Sequence, residues 1–102
     1  MDIVIRYFDG CPNWRVAEDR VRTAVRELGL REDVSFERIQ TPEEAERARF
    51  LGSPTILIDG RDPFPGSETT YGLACRTYPT KDGPQGSPTT DDVRAALEKA
   101  RA

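Results

Sequence analysis

Residues 3 to 8 read IVIRYF, and the turn pair Asp9-Gly10 follows at once. Apart from Arg6, the run is apolar and β-favouring, without the alternation of a strand that has one wet face. A strand of that kind is buried on both sides. It needs a sheet with cover on two faces, and the remaining chain has to supply the helices. The first begins directly. Trp14, Ala17, Val21, Ala24, Val25 and Leu28 recur at helical spacing, which predicts a helix from about Pro12 to Leu28 with one apolar face. Pro12 suits the first helical position, where a missing N–H is no loss. Gly29 suits the left-handed residue that ends a helix.

Further along, Val34 to Ile39 reads as a second strand. Thr41-Pro42-Glu43-Glu44 is a capping box that opens a short helix to about Leu51. Gly52-Ser53-Pro54 interrupts, and Thr55 to Ile58 (TILI) is a compact buried strand. Asp59-Gly60 is a hairpin turn, so Arg61 to Phe64 is expected to return as a short edge strand marked by Pro63. Residues 65 to 88 are rich in Gly, Pro, Ser and Thr, and within them Tyr71 to Tyr78 reads as a strand or an ordered loop. Thr89 and Asp92 form a second capping box, and Val93, Ala96, Leu97 and Ala100 give the last helix its apolar face. The order is β-α-β-α-β-β-α. It predicts an α/β fold in one domain over residues 1–102, with a Gly/Pro-rich extension at 65–88. Strand–helix–strand implies a parallel pair, and the hairpin adds an antiparallel one. The sheet is therefore mixed, with about four strands and helices on both faces.

Composition narrows the chemistry. With 102 residues the chain fits a single modest core. Net charge is −3 and the isoelectric point about 5.0, so no nucleic-acid footprint is expected. Arg15, Arg20, Arg22 and Arg26 line one helix, but Glu18, Asp19 and Glu27 interleave, as on a solvated face. No apolar run approaches membrane-spanning length, and the start lacks a basic leader, so a cytoplasmic protein is expected. Histidine is absent, which removes Ser-His-Asp and Cys-His catalysis and histidine metal sites. Two cysteines alone cannot make a tetrahedral zinc centre, and neither standard glycine-rich phosphate loop is present. The sequence calls for no cofactor. Thiols, carboxylates and arginines remain.

Two local signatures join this element order. Cys11-Pro12-Asn13-Trp14 lies at the first strand-to-helix junction, and Gly52-Ser53-Pro54-Thr55 stands directly before a buried strand. Together they resemble the thioredoxin-like superfamily, in a variant with Cys-Pro-Asn-Trp in place of Cys-x-x-Cys. The likeness covers residues 1 to 64 and extends to 89–102. It implies that Pro54 is cis and faces Cys11. Trp14 stands where the second cysteine of the dithiol motif belongs, so exchange within Cys-x-x-Cys is closed to this chain.

Cys11 at the start of the first helix meets unpaired backbone N–H groups and the positive end of the helix dipole. Arg15 adds positive potential and Asp9 opposes it. The expectation is a moderately acidic, nucleophilic thiol. In the superfamily's geometry the segment after the hairpin can fold back over this end; if it does, Cys75 reaches Cys11 as a resolving thiol, and if it does not, Cys75 is a buried free cysteine in an extended segment. Trp14 covers the helix end and joins the core, or lines a groove. Pro54 shapes the groove, with the backbone of Ser53 or Thr55 free to pair with an extended substrate. The implied activity is that of a thiol–disulfide oxidoreductase, by thiol–disulfide exchange or mixed-disulfide reduction at Cys11, and the implied partner is a thiol or disulfide, protein or small molecule. Two alternatives stand beside it. One is a catalytically silent binding module of the same fold, which uses the edge at Arg61 to Phe64 and the apolar patch Pro63, Phe64 and Pro65. The other is capture of a soft metal or mercurial by two thiolates.

Overall fold

A computed structural model describes residues 1–64 and 70–101. The elements are β1 (Ile3–Tyr7), α1 (Trp14–Glu27), β2 (Val34–Arg38), α2 (Pro42–Ala48), β3 (Thr55–Ile58) and α3 (Thr90–Arg101). β1 is the central strand of a three-stranded sheet of order β2-β1-β3. β2 runs parallel to it, with Ile5 opposite Phe36; β3 runs antiparallel, with Ile5 opposite Ile56. The parallel pair is possible because α1 carries the chain back along the sheet.

The unbroken apolar run of β1 is explained by what covers it. Ile3 and Ile5 point to one face and are fully buried, with Ala17, Val21 and Ala24 of α1, Ile56 and Ile58 of β3, and Val93 and Leu97 of α3. Each such large aliphatic side chain contributes roughly 1.5–3 kcal/mol by leaving water. Arg6 points the other way, and its guanidinium donates to the Ala48 carbonyl at 2.8 Å, at the end of α2. A second apolar cluster, Ile39, Ala45 and Phe50, forms around α2 with Phe8 and Leu73 against it. The sheet is thus covered by α1 and α3 on one face and by α2 on the other.

Local signals fix most of the boundaries. Thr41 Oγ1 accepts from the Glu44 N–H at 3.1 Å, and Glu44 returns a carboxylate to the Gln40 N–H at 3.0 Å. Thr89 and Asp92 cap each other reciprocally at 3.1 and 3.2 Å. Gly29 has φ +68° and ends α1, while the Leu30 N–H reaches the Val25 carbonyl. Among the described residues no helix is long and apolar enough to cross a membrane.

Three boundaries differ from expectation. α1 starts at Trp14, not Pro12. Residues 11–13 form a tighter turn first, in which the Cys11 N–H donates to the Phe8 carbonyl at 3.3 Å and the Arg15 N–H to the Pro12 carbonyl at 3.1 Å. α2 ends at Ala48, because Arg49 takes a left-handed conformation (φ +54°) and the Phe50 N–H turns back to the Ala45 carbonyl. The expected fourth strand, Arg61 to Phe64, is reduced to a single bridge. Asp59 and Gly60 both have positive φ, and Ile58 and Arg61 exchange hydrogen bonds across the tight turn. Pairing stops there. Pro63 has no N–H to offer, and the Asp62 carboxylate is drawn to Arg76. The described residues therefore form three strands rather than four. Pro65, and the first part of the 65–88 extension with it, lies outside the described residues.

Candidate functional site

Cys11 and Cys75 are joined by a disulfide with Cα atoms 5.6 Å apart, inside the span that such bonds require. Their surroundings differ sharply. Cys11 is completely buried, whereas Cys75 is exposed. Cys11 is delivered by the turn at the end of β1. Cys75 arrives on a segment, residues 70–88, that folds back across the same end of the sheet.

Ser53 organises the junction. Its N–H donates to the Ala74 carbonyl at 2.8 Å, and its carbonyl accepts from the Arg76 N–H at 2.8 Å. These two bonds make a parallel bridge that brackets Cys75. The Ser53 hydroxyl accepts from the Phe8 N–H at 3.4 Å, and the Ser53 carbonyl oxygen lies 3.5 Å from Cys11 Sγ. The Ser53–Pro54 peptide bond is cis. The Pro54 carbonyl accepts from the Tyr78 hydroxyl at 2.6 Å. Thr55 begins β3, paired with Arg6, and its hydroxyl donates to the Gly52 carbonyl at 2.7 Å. Both backbone polar groups of Ser53, expected to be open to an extended substrate, are therefore engaged by the chain's own residues 74–76. Gly52 makes that approach possible. Its φ is +119°, and a Cβ there would lie 3.1 Å from the Ala74 oxygen and from Arg76 Cβ.

Arg76, which the sequence places beside Cys75 with a carboxylate or a backbone carbonyl as its natural partner, finds both, in a burial that no local pattern plainly announces. Its side chain is wholly buried, an expensive place for a cation unless it is paired. It pairs with Asp62 at 2.6 Å, donates to the Phe64 carbonyl and to Thr55 Oγ1, and lies over the Tyr78 ring at 4.5 Å. Nε has no hydrogen-bond partner among the described residues. The available signal was the alternation Cys75-Arg76-Thr77-Tyr78, in which the even positions are buried. An arginine at the inward position disguises it. Phe64, in a patch that would either bind a partner or simply pack, packs edge-on against Tyr78 at 5.9 Å and against the main core.

The far end of the segment is tied to α1. Arg20 donates to Gln85 Oε1 and to the carbonyls of Ser87 and Pro88 at 3.0–3.3 Å. Arg20 is thus a clasp and not part of a solvated stripe. Gly86 sits so close to the Asn13 side chain that any Cβ would collide with it. Between the ties, Tyr78 and Gln85 exchange backbone hydrogen bonds above a turn at Thr80–Gly83.

Trp14 is half-buried in an aromatic group, 4.6 Å from Tyr7 and edge-on to Phe36 at 5.8 Å, with the Arg15 guanidinium over its ring. Arg15 is thereby occupied with Trp14, and Asp9 pairs with Arg38 at 3.4 Å. Cys11 itself lies two residues ahead of the α1 cap, Asn13, so the helix dipole acts on it from further off than expected. Joined to each other, the two sulfurs are not metal ligands, and among the described residues no group of three His, Cys, Asp or Glu could hold a metal ion.

A curated thioredoxin from Methanothermobacter thermautotrophicus is 35% identical to this chain over 54 residues, which is 53% of this chain and 68% of that protein. No protein-family model matches the chain. No solved structure matches it either.

Proposed function

From the premise that the chain belongs to the thioredoxin family, we propose that it is a thiol–disulfide oxidoreductase whose working pair is Cys11 and Cys75. The observation that carries this reading is the bond between two cysteines 64 residues apart, at the strand-to-helix junction where the family resemblance put a reactive thiol. Trp14 fills the usual position of the second sulfur, and Cys75 supplies that sulfur from the folded-back segment. In the reduced state the pair gives two electrons and two protons to a disulfide substrate, which becomes a dithiol, while the protein returns to the disulfide form. An external dithiol then reduces the protein again. The substrate class is a thiol or disulfide, of a protein or a small molecule.

One observation favours a second reading, a catalytically silent module in which the bond is only a cross-link. Cys11 is sealed from solvent, and closing a loop of this length stabilises a fold by about 4 kcal/mol in the chain-entropy picture. The two readings separate in one titration. The protein is equilibrated under native conditions with dithiothreitol and its oxidised form over a range of ratios, quenched with acid, and the free thiols are counted by mass after alkylation in denaturant. A redox protein cycles reversibly, and its reduced form converts a peptide disulfide to the dithiol. A bond that resists excess dithiothreitol until the fold is denatured belongs to a cross-link and ends the redox reading.

A further inference from the structure

We propose that Cys75, not Cys11, is the sulfur that exchanges with substrate, and that Cys11 is the resolving thiol. The inference rests on the redox reading above and reverses the roles that the Cys-Pro signature suggests. Attack on a disulfide is an in-line displacement, so the accessible sulfur is the one attacked and the other departs. Cys11 has no exposed surface. The Ser53 carbonyl stands 3.5 Å from its sulfur, and residues 74–76 fill the backbone edge of Ser53 alongside. Cys75 is exposed, and it is the residue whose neighbours, not itself, are fastened down.

That fastening gives the step its second half. Ala74 and Arg76 are each bonded to Ser53, and Arg76 is anchored by Asp62, Thr55 and Phe64. Opening the sulfur bridge breaks none of these bonds, so Cys75 stays opposite Cys11. Held in place, the two sulfurs react as an intramolecular pair at high effective concentration. In the oxidised protein, a substrate thiolate attacks Cys75 Sγ. The bond to Cys11 breaks, and Cys11 leaves as a thiolate that takes the proton given up by the substrate's second thiol. The resulting thiol has an acceptor waiting in the Ser53 carbonyl. A second thiol of the same substrate then displaces Cys75, and the substrate leaves as a disulfide. In the reducing direction, the Cys75 thiolate attacks a substrate disulfide and expels one substrate thiolate. Cys11 then passes its proton to the substrate thiolate already expelled, attacks Cys75 Sγ, expels the other substrate sulfur as a thiolate and restores the internal bond.

The test uses the full chain. The reduced wild type receives a brief pulse of iodoacetamide, and the labelled peptides are quantified by mass. Label at Cys75 is expected about tenfold faster than at Cys11. In parallel, Cys11→Ser and Cys75→Ser are mixed with 5,5′-dithiobis(2-nitrobenzoic acid). Cys11→Ser is expected to release thionitrobenzoate rapidly and to trap a mixed disulfide at Cys75, with Cys75→Ser about tenfold slower. Equal labelling of the two thiols, or faster labelling of Cys11, overturns the assignment. If the wild type still cycles with dithiothreitol in that case, only the roles are wrong. If it does not cycle, the redox reading fails with them.

Discussion

The sheet with its helices and the segment at 70–88 are held by different forces. In the first, β1 and β3 bury aliphatic side chains against α1 and α3, and stability is spread over many interchangeable contacts. In the second, a short list of polar contacts does most of the holding: one buried arginine, one clasping arginine, two backbone bonds at Ser53 and one sulfur bridge. Dispersed apolar burial tolerates single substitutions that keep volume, whereas discrete polar anchors do not. The exposed cysteine rides on the second kind of structure.

The largest expected effect comes from removing the bridge. The double variant Cys11→Ser, Cys75→Ser should lose about 4 kcal/mol in urea unfolding without reductant. A loss under about 1 kcal/mol would mean that the polar anchors alone hold the segment. Next, Asp62→Ala leaves the Arg76 guanidinium buried without its carboxylate, at a cost of about 3 kcal/mol. Leu97→Ala, in the apolar half, costs about the same amount. Native-state hydrogen exchange distinguishes them. Asp62→Ala should release the Arg76 and Gln85 amides while sparing Ile5, and Leu97→Ala should lower the protection of all three. Identical patterns would erase the distinction between the two regions. Gly52→Ala forces a side chain into a left-handed conformation and against residues 74 and 76, for about 2 kcal/mol, measured as a drop in melting temperature. Smallest is Arg20→Ala. It removes three charge-assisted hydrogen bonds at a half-exposed site and costs about 1.5 kcal/mol, with faster proteolysis expected near residues 80–88. All three bonds come from Nη1, so Arg20→Lys should recover part of this, limited by the shorter reach of its ammonium.

The same contrast explains what was legible in the sequence. β1, α1, the caps at Thr41 and Thr89, the stop at Gly29 and the turn at Asp59-Gly60 all rest on neighbours within a few residues, and periodicity or turn chemistry exposes them. The positions of Cys11, Ser53, Pro54 and Thr55 around one end of the sheet were what the resemblance carried by the two local signatures implied. The anchors were not legible. Asp62 meets Arg76 across 14 residues, and Arg20 meets Gln85 across 65. No local pattern marks such pairs, so Arg20 read as one solvated arginine among several, and the carboxylate and carbonyl that Arg76 would meet had no address in the sequence. The truncated return strand has a related origin, because the distant Arg76 guanidinium takes the Phe64 carbonyl and Asp62 Oδ1 takes the Phe64 N–H, just where pairing would have continued.

The closeness of Gly52 and Ser53 to residues 74–76 has one more consequence. An uncovered main-chain margin invites a strand from another molecule. Here the chain lays its own backbone along Ser53, so the margin just ahead of β3 is closed to intruders for as long as the strap stays down. Conditions that lift it, such as loss of Asp62 combined with reduction, expose a template for pairing between molecules. Self-association should then set in before the apolar core gives way.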